Sequence, residues 1–403
     1  MTRRPEEPVA YPFEYSALAI NEAYAKARDS EGMTLVQMPF GEPAWLATRY
    51  ADARFVFGDR RFSRAMSVDR DYPRPNEYRL GDLGLMGMDP PEHSRLRTAI
   101  SKAFSVKRVE TLRPWVRQLA EQLVEKMLVQ RPPVDLMEAL AFPLPIAVIC
   151  QLLGVPEADR AQFRVWSDAV ISTGLGQSAT MGEALGDLIS YMSELVAERR
   201  ETPQDDLISA LIQASDLGQA LTESEVMLLA VGLLVAGHET TVSEIGNFAY
   251  VLLDRSNEWR RLVDEPGLIP AAVEELARFV PLGTLARFPR YATEDVEVGG
   301  FLVRKGEAVL PCISAPNHDP RRFADADALC LDRTDNPHLT FGHGPHFCPG
   351  AALARLELQE VLRVLTVRAP AMRLAGEVVW KRGAQARSPL ALPVEWPSDA
   401  ADR

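Results

Sequence analysis

Cysteine is scarce. The 403 residues hold four, at positions 150, 312, 330 and 348, and no two stand in Cys-x-x-Cys spacing. That pattern excludes a disulfide framework and suits a reducing compartment, so a cytoplasmic location is expected. Positive charge is also short: 44 Lys and Arg face 56 Asp and Glu, and the formal net charge of -12 argues against non-specific binding to nucleic acid. The first eight residues, MTRRPEEP, contain no apolar segment, so neither a secretory signal nor a membrane anchor is expected. No Gly/Ser linker, low-complexity tract or internal repeat divides the chain. What is present is 47% hydrophobic and 25% charged, enough for a large core in one globular domain spanning residues 1–403.

Local patterns give a coarse outline. Residues 34–50 read as a hairpin turning at Gly41. Residues 63–87 dissolve into Asp, Arg, Pro and Gly, which predicts a long loop of the kind that carries function. A helix should start at Asp89 or Pro90, with His93 and Arg97 one turn apart on one face. Arg95, Lys102, Lys107, Arg108 and Arg113 form a basic island there, either a solvated face or a dock for an acidic protein. Helical periodicity runs through 110–212, broken by small residues near 171–179.

Thr222 and Glu225 form a capping box at the head of a helix running to about Leu253. The apolar run that follows is too short to span a membrane, so the helix reads as a core axis. Its polar interruption at 237–241, GHETT, predicts a local weakening at Gly237, with Thr240 bonding a carbonyl one turn back. An acid beside an alcohol there suits proton delivery to a bound molecule, and a water-filled packing defect is the plainer alternative. Residues 270–281 form a short helix between prolines, and 295–304 a hairpin with Gly299-Gly300 at its turn. Residues 378–396 alternate like a final hairpin, and 398–403 should fray.

The most informative stretch is FGHGPHFCPG at 341–350, one cysteine in a loop of glycines and prolines ahead of a helix over 351–367. A metal that keeps one face open for chemistry wants one strong ligand on the other, and a thiolate steadied by backbone N–H groups supplies it. Gly342, Gly344 and Gly350 permit the turns, the helix start adds its positive end, and Phe341 and Phe347 could exclude water. A lone buried cysteine in a turn is the alternative. The ten residues in this order resemble the haem-ligand loop of the cytochrome P450 family. AGHETT at 236–241 resembles the same family's oxygen-binding motif, and residues 88–350 carry further family segments in order.

The resemblance implies a mainly helical fold with small β-sheets, a single haem domain of the cytochrome P450 type. It implies haem b (iron protoporphyrin IX) with Cys348 as axial ligand and the nearby Gly350 and Phe341 shaping the loop. His93, Arg97, Arg290 and His346 are implied as contacts to the haem propionates, since carboxylates suit such donors. Thr240 is implied as the hydroxyl that hydrogen-bonds dioxygen, Glu239 as the proton relay and Gly237 as part of the oxygen site, with His238 a filler. Glu275, Arg278 and Arg333 are implied as a buried structural lock, with Glu274 facing solvent. Residues 316–323, PNHDPRRF, resemble a further family segment from which Pro316 and His318 depart. His338 and His343 lie near the loop without a role.

Pocket walls are implied at 63–87, near 171–190, at Gly232 to Ala236 including Val235, and at Leu285, Ala286 and Arg287. Arg287 would either point away or meet a substrate acceptor. The activity implied is insertion of one oxygen atom from O2 into a small hydrophobic substrate, in secondary metabolism. No reductase is fused, so electrons from NAD(P)H are expected through a ferredoxin and its reductase, delivered to a monomer with no nucleic-acid or membrane partner. A peroxide-driven peroxygenase and a non-catalytic haem or recruitment module are the alternative classes.

Overall fold

The computed structural model describes residues 7–30, 32–75, 77, 84–171, 178–216, 221–283, 285–286, 288–382 and 386–397. The chain forms two compact units. One comprises Met1–Thr98, Gly283–Leu329 and Asn336–Cys348; the other comprises Ala99–Leu282, Cys330–Asp335 and Pro349–Arg403.

The first unit is built on a six-stranded sheet. Its strand order is Val9–Ala10, Thr34–Gln37, Ala44–Ala47, Ala308–Pro311, Arg290–Ala292 and Phe62–Ser63. The hairpin expected at 34–50 is its second and third strands, antiparallel with Leu35 opposite Trp45. Its turn depends on Gly41 twice over: φ is +88°, and a Cβ there would lie 2.1 Å from the Tyr72 carbonyl oxygen.

All of Ala44–Ala47 is buried, and alternation along the strand divides the core in two. Trp45 and Ala47 face one cluster with Val309, Phe62 and Phe323. Ala44 and Leu46 face the other with Leu310, Tyr291 and Tyr11. Arg290 enters this buried sheet opposite Val309, which is how a cation comes to sit deep in the unit. The hairpin with Gly299-Gly300 at its turn forms from Val296–Val298 and Phe301–Val303.

The second unit is helical around Glu223–Asp254, a helix of 32 residues and about 48 Å. The capping box is present: Glu225 N–H donates to Thr222 Oγ1 (3.2 Å) and Thr222 N–H to Glu225 Oε2 (2.8 Å). By length and composition this helix could cross a membrane, which corrects the expectation drawn from its apolar run alone. More than half of its most apolar window is buried inside the protein, and every residue from Thr241 to Ala249 is buried. It packs against the helices Pro143–Leu153 and Ala351–Arg368. The final residues do not form one hairpin. Val379–Trp380 pairs with Pro389–Ala391, whereas Pro393–Glu395 joins Arg373–Leu374 and Val134–Asp135 in a separate sheet. Residues 398–403 lie outside the described set.

Candidate active site

In the first unit the cysteine loop is held by its backbone. Cys348 N–H donates to the Phe341 carbonyl (2.8 Å), Gly342 N–H to Leu339 (2.8 Å) and Phe347 N–H to Gly344 (3.0 Å). Asn317 supports the loop's base, accepting from Leu339 N–H (2.7 Å) and donating to Thr340 Oγ1 (2.9 Å). Gly344 has φ +72°, and a Cβ there would come within 2.6 Å of the Phe57 carbonyl oxygen and 2.7 Å of Gly58 Cα. Only glycine lets the loop lie this close to the helix Tyr50–Gly58. Gly350, by contrast, has φ -83° and needs no special freedom. Cys348 is half-buried, and Phe347 is 39% exposed, so of the two phenylalanines only the half-buried Phe341 can exclude water.

Beside this loop lies a concentration of buried positive charge. His93 and Arg97 share one face of the helix Glu92–Ala103, and the His93 ring lies 4.1 Å from that of His346. Burial and the guanidinium groups of Arg97, Arg64 and Arg290 push His93 down to about 4. Burial, then Arg64, Arg290, His93 and Arg97, push His346 down to about 2. Burial also lowers Arg290 to about 10 and lowers Arg97, which the Cys348 thiolate partly offsets.

Among the described residues, the carboxylate that opposes them is Asp89, and it is spent on the chain itself. It accepts from Ser63 Oγ and from the N–H groups of Arg64 (2.8 Å) and Ala65. His93 Nε2 and Arg290 Nη1 are buried without a hydrogen-bond partner. Buried donors in excess positive charge call for an anion with carboxylate-like acceptors. The propionates of a haem fit that demand, so the residues present suit the group.

Arg64 belongs to this set and escapes the sequence reading. It is 3% exposed, its guanidinium stacks 4.5 Å over the Phe288 ring, and Phe288 itself adopts φ +62°. Nothing in RRFSR at 60–64 marks it among 44 basic residues. The basic island is smaller than its composition. Arg113 is bound to Glu110 and to the fully buried Glu360, and Arg108 pairs with Asp205. The Lys102 side chain and Arg287 lie outside the described residues. Ala286, expected on a pocket wall, is 4% exposed in the cluster with Tyr11 and Cys312, and Leu285 packs against that cluster. Four and five residues ahead of the strand Arg290–Ala292, both pack into the core.

In the second unit, the middle of the long helix carries the polar group. The local weakening expected at Gly237 does not interrupt the helix, and the bare Cα there accommodates Ile149, 3.2 Å from where a Cβ would lie. Thr240 Oγ1 does donate to the Ala236 carbonyl one turn back (2.9 Å), and Thr241 Oγ1 to Gly237 (3.2 Å). Gly232, Ala236 and Thr240 are exposed in one stripe at four-residue spacing, with Val235 half-buried beside them. Glu239 is buried and accepts from Lys381 Nζ at 2.8 Å. His238 is fully buried. Burial alone pushes Glu244, one turn further on, well above the usual carboxylate range.

The lock assembles as expected. Glu275 accepts from Arg278 Nε and Nη2 (both 2.8 Å), from Arg333 Nε (3.0 Å) and from Cys330 N–H (2.9 Å). Glu274 does not simply face solvent; it makes a two-point pair with Arg355 (2.6 and 2.8 Å).

The family model for cytochrome P450 matches residues 169–365. With the relatives below aligned over nearly the whole chain, the protein belongs to the cytochrome P450 family. It is 48% identical over 394 residues to mycinamicin IV hydroxylase/epoxidase from Micromonospora griseorubida, covering 97% of this chain and 99% of that one. It is 44% identical over 392 residues to nocardicin C N-oxygenase from Nocardia uniformis subsp. tsuyamanensis, covering 96% and 98%. The solved structure of the mixed-function P450 MycG superposes with a TM-score of 0.91 at 48% identity, covering 97% of this chain and all of that one. The chain is therefore a P450 monooxygenase of the bacterial secondary-metabolite type, on the mainly helical P450 fold with small sheets. The family implies haem, O2 and an electron donor.

Proposed function

We propose that this chain oxygenates a bulky secondary metabolite of the mycinamicin IV kind, using haem b bound through Cys348 and electrons from NAD(P)H passed by a ferredoxin and its reductase in the cytoplasm. The observation that carries the haem assignment is the orphaned pair of buried donors, His93 Nε2 and Arg290 Nη1, beside the Cys348 loop. The substrate class rests on near full-length similarity to the mycinamicin IV enzyme and on the open stripe of small residues above Thr240.

When bound, the haem supplies the activation of dioxygen and its transfer to the substrate. The chain's residues do the rest. Arg97, Arg290, His93 and His346 would hold the propionates, with Arg64 adding charge. The Cys348 thiolate would ligate the iron and supply electron density to it. One oxygen atom enters the substrate and the other leaves as water, so protons must reach it. Glu239 carries them from the buried side of the long helix, and the Thr240 hydroxyl, turning from the Ala236 carbonyl, presents them.

Arg290→Met tests the first part. The charge-assisted bond lost is worth about 1.5–3 kcal/mol, so haem should transfer to an apo-acceptor about 10- to 100-fold faster. The haem-free protein should be no less stable, because the variant removes a buried, unpaired cation. Unchanged haem transfer contradicts the assignment. Thr240→Ala tests the second part: NAD(P)H consumption continues while product per NAD(P)H falls about tenfold, the excess appearing as peroxide. Unchanged coupling removes Thr240 from proton delivery.

A further inference from the structure

Lys381 comes to Glu239 across 142 positions of sequence, on a hairpin fixed to the long helix. The strand Val379–Trp380 pairs with Pro389–Ala391, and Lys381 N–H continues the pairing to the Ser388 carbonyl (3.0 Å). Trp380 meets the helix residue Tyr250 edge-on at 5.0 Å. Asn247 Nδ2 donates to the Arg387 carbonyl (2.8 Å), and at Gly246 a Cβ would lie 2.5 Å from Met137 Sδ and 3.3 Å from Pro389 Cδ, so the bare Cα admits both. The hairpin therefore touches the helix at Gly246, Asn247 and Tyr250. This fixes where the Lys381 stem can reach.

Its ammonium lies 2.8 Å from Glu239 Oε1 and 5.3 Å from the centre of the Phe142 ring. The two side chains are 17% and 6% exposed, so the pair is largely withdrawn from water, where a fixed cation both orients a carboxylate and keeps it ionised. A surface ion pair would do neither. The aromatic face adds a second attraction on the cation.

We infer that Lys381 is a positioning residue for proton delivery: it holds the Glu239 carboxylate ionised and in one rotamer, and so governs the rate at which protons pass to Thr240. The inference rests on the proposed relay through Glu239 and Thr240. Lys381 acts through Glu239. Without the cation, the buried carboxyl takes up a proton and loses its fixed orientation.

The test uses haem-loaded protein at pH 7, wild type and K381M, K381R, E239Q and E239Q/K381M. Infrared difference spectra report protonated carboxyl groups, and NADPH oxidation with a ferredoxin and its reductase, without added substrate, is compared in H2O and D2O. K381M should gain a protonated-carboxyl band that is absent from E239Q/K381M, and its solvent isotope effect should rise about twofold, as in E239Q. K381R, which restores the cation, should return both readouts to wild type. If K381M shows neither change while E239Q shifts the isotope effect, Lys381 is only structural and the inference falls. If E239Q shifts nothing either, the relay through Glu239 falls, and this inference with it.

Discussion

Glu275→Gln should lower the thermal midpoint by about 5 °C, and Glu274→Gln, its neighbour, by little. Glu275 and Arg278 are both fully buried, and Arg333 is 11% exposed. Removing the charge at Glu275 leaves the Arg278 guanidinium uncompensated inside the protein. Breaking a buried pair in this way costs about 3–5 kcal/mol, and for a chain of this length each kcal/mol moves the midpoint by about 1 °C. Cys330 N–H keeps an acceptor in the amide oxygen, so the loss is one of charge rather than of all hydrogen bonding.

The Glu274–Arg355 pair is 30% exposed on each side and is worth no more than about 1 kcal/mol. Thermal unfolding of both variants reads the contrast. Equal shifts would mean that the lock contributes no more than a surface pair.

Cys348→Ala should abolish O2-dependent product formation, a loss of at least about 10³-fold, while the fold persists. Of the four cysteines, burial pushes Cys150 up to about 12 and Cys312 higher still, so neither can become a thiolate near neutral pH. Cys330 sits in the lock, its backbone committed to Glu275. Only Cys348 stands in a glycine loop beside a cationic cluster. The loop itself is held by the Cys348 N–H and by Gly344 against Phe57 and Gly58, features that alanine retains at 348. The midpoint of the haem-free variant should therefore match wild type. Retained turnover would move the ligand elsewhere, and a collapsed fold would make Cys348 structural.

The features legible in sequence were those set by short-range geometry. The capping box at Thr222 and Glu225 needs only a spacing of three, the Gly41 turn only a residue free to take positive φ, and Glu275–Arg278 only one helical turn. The family resemblance added Arg333, Arg290 and His346, which no spacing connects. What escaped were partners that tertiary structure delivers. Lys381 is carried to Glu239 by a hairpin, Arg64 is turned inward by Asp89 and Phe288, and Arg355 reaches Glu274 from another helix. The basic island shrank for the same reason, since Glu360, distant in sequence, claims Arg113. The polar run at 237–241 suggested a local weakening within one long helix; both threonines bond back one turn and the helix stays whole.

The central claim is that the Cys348 thiolate holds the iron of a haem whose propionates the His93–Arg290 cluster receives. The carbon monoxide difference spectrum of reduced, haem-loaded wild-type protein tests it most directly. A strongly red-shifted Soret band, absent from Cys348→Ala, is the predicted result. A band at the position of a histidine-ligated haem, or one that survives in Cys348→Ala, contradicts it.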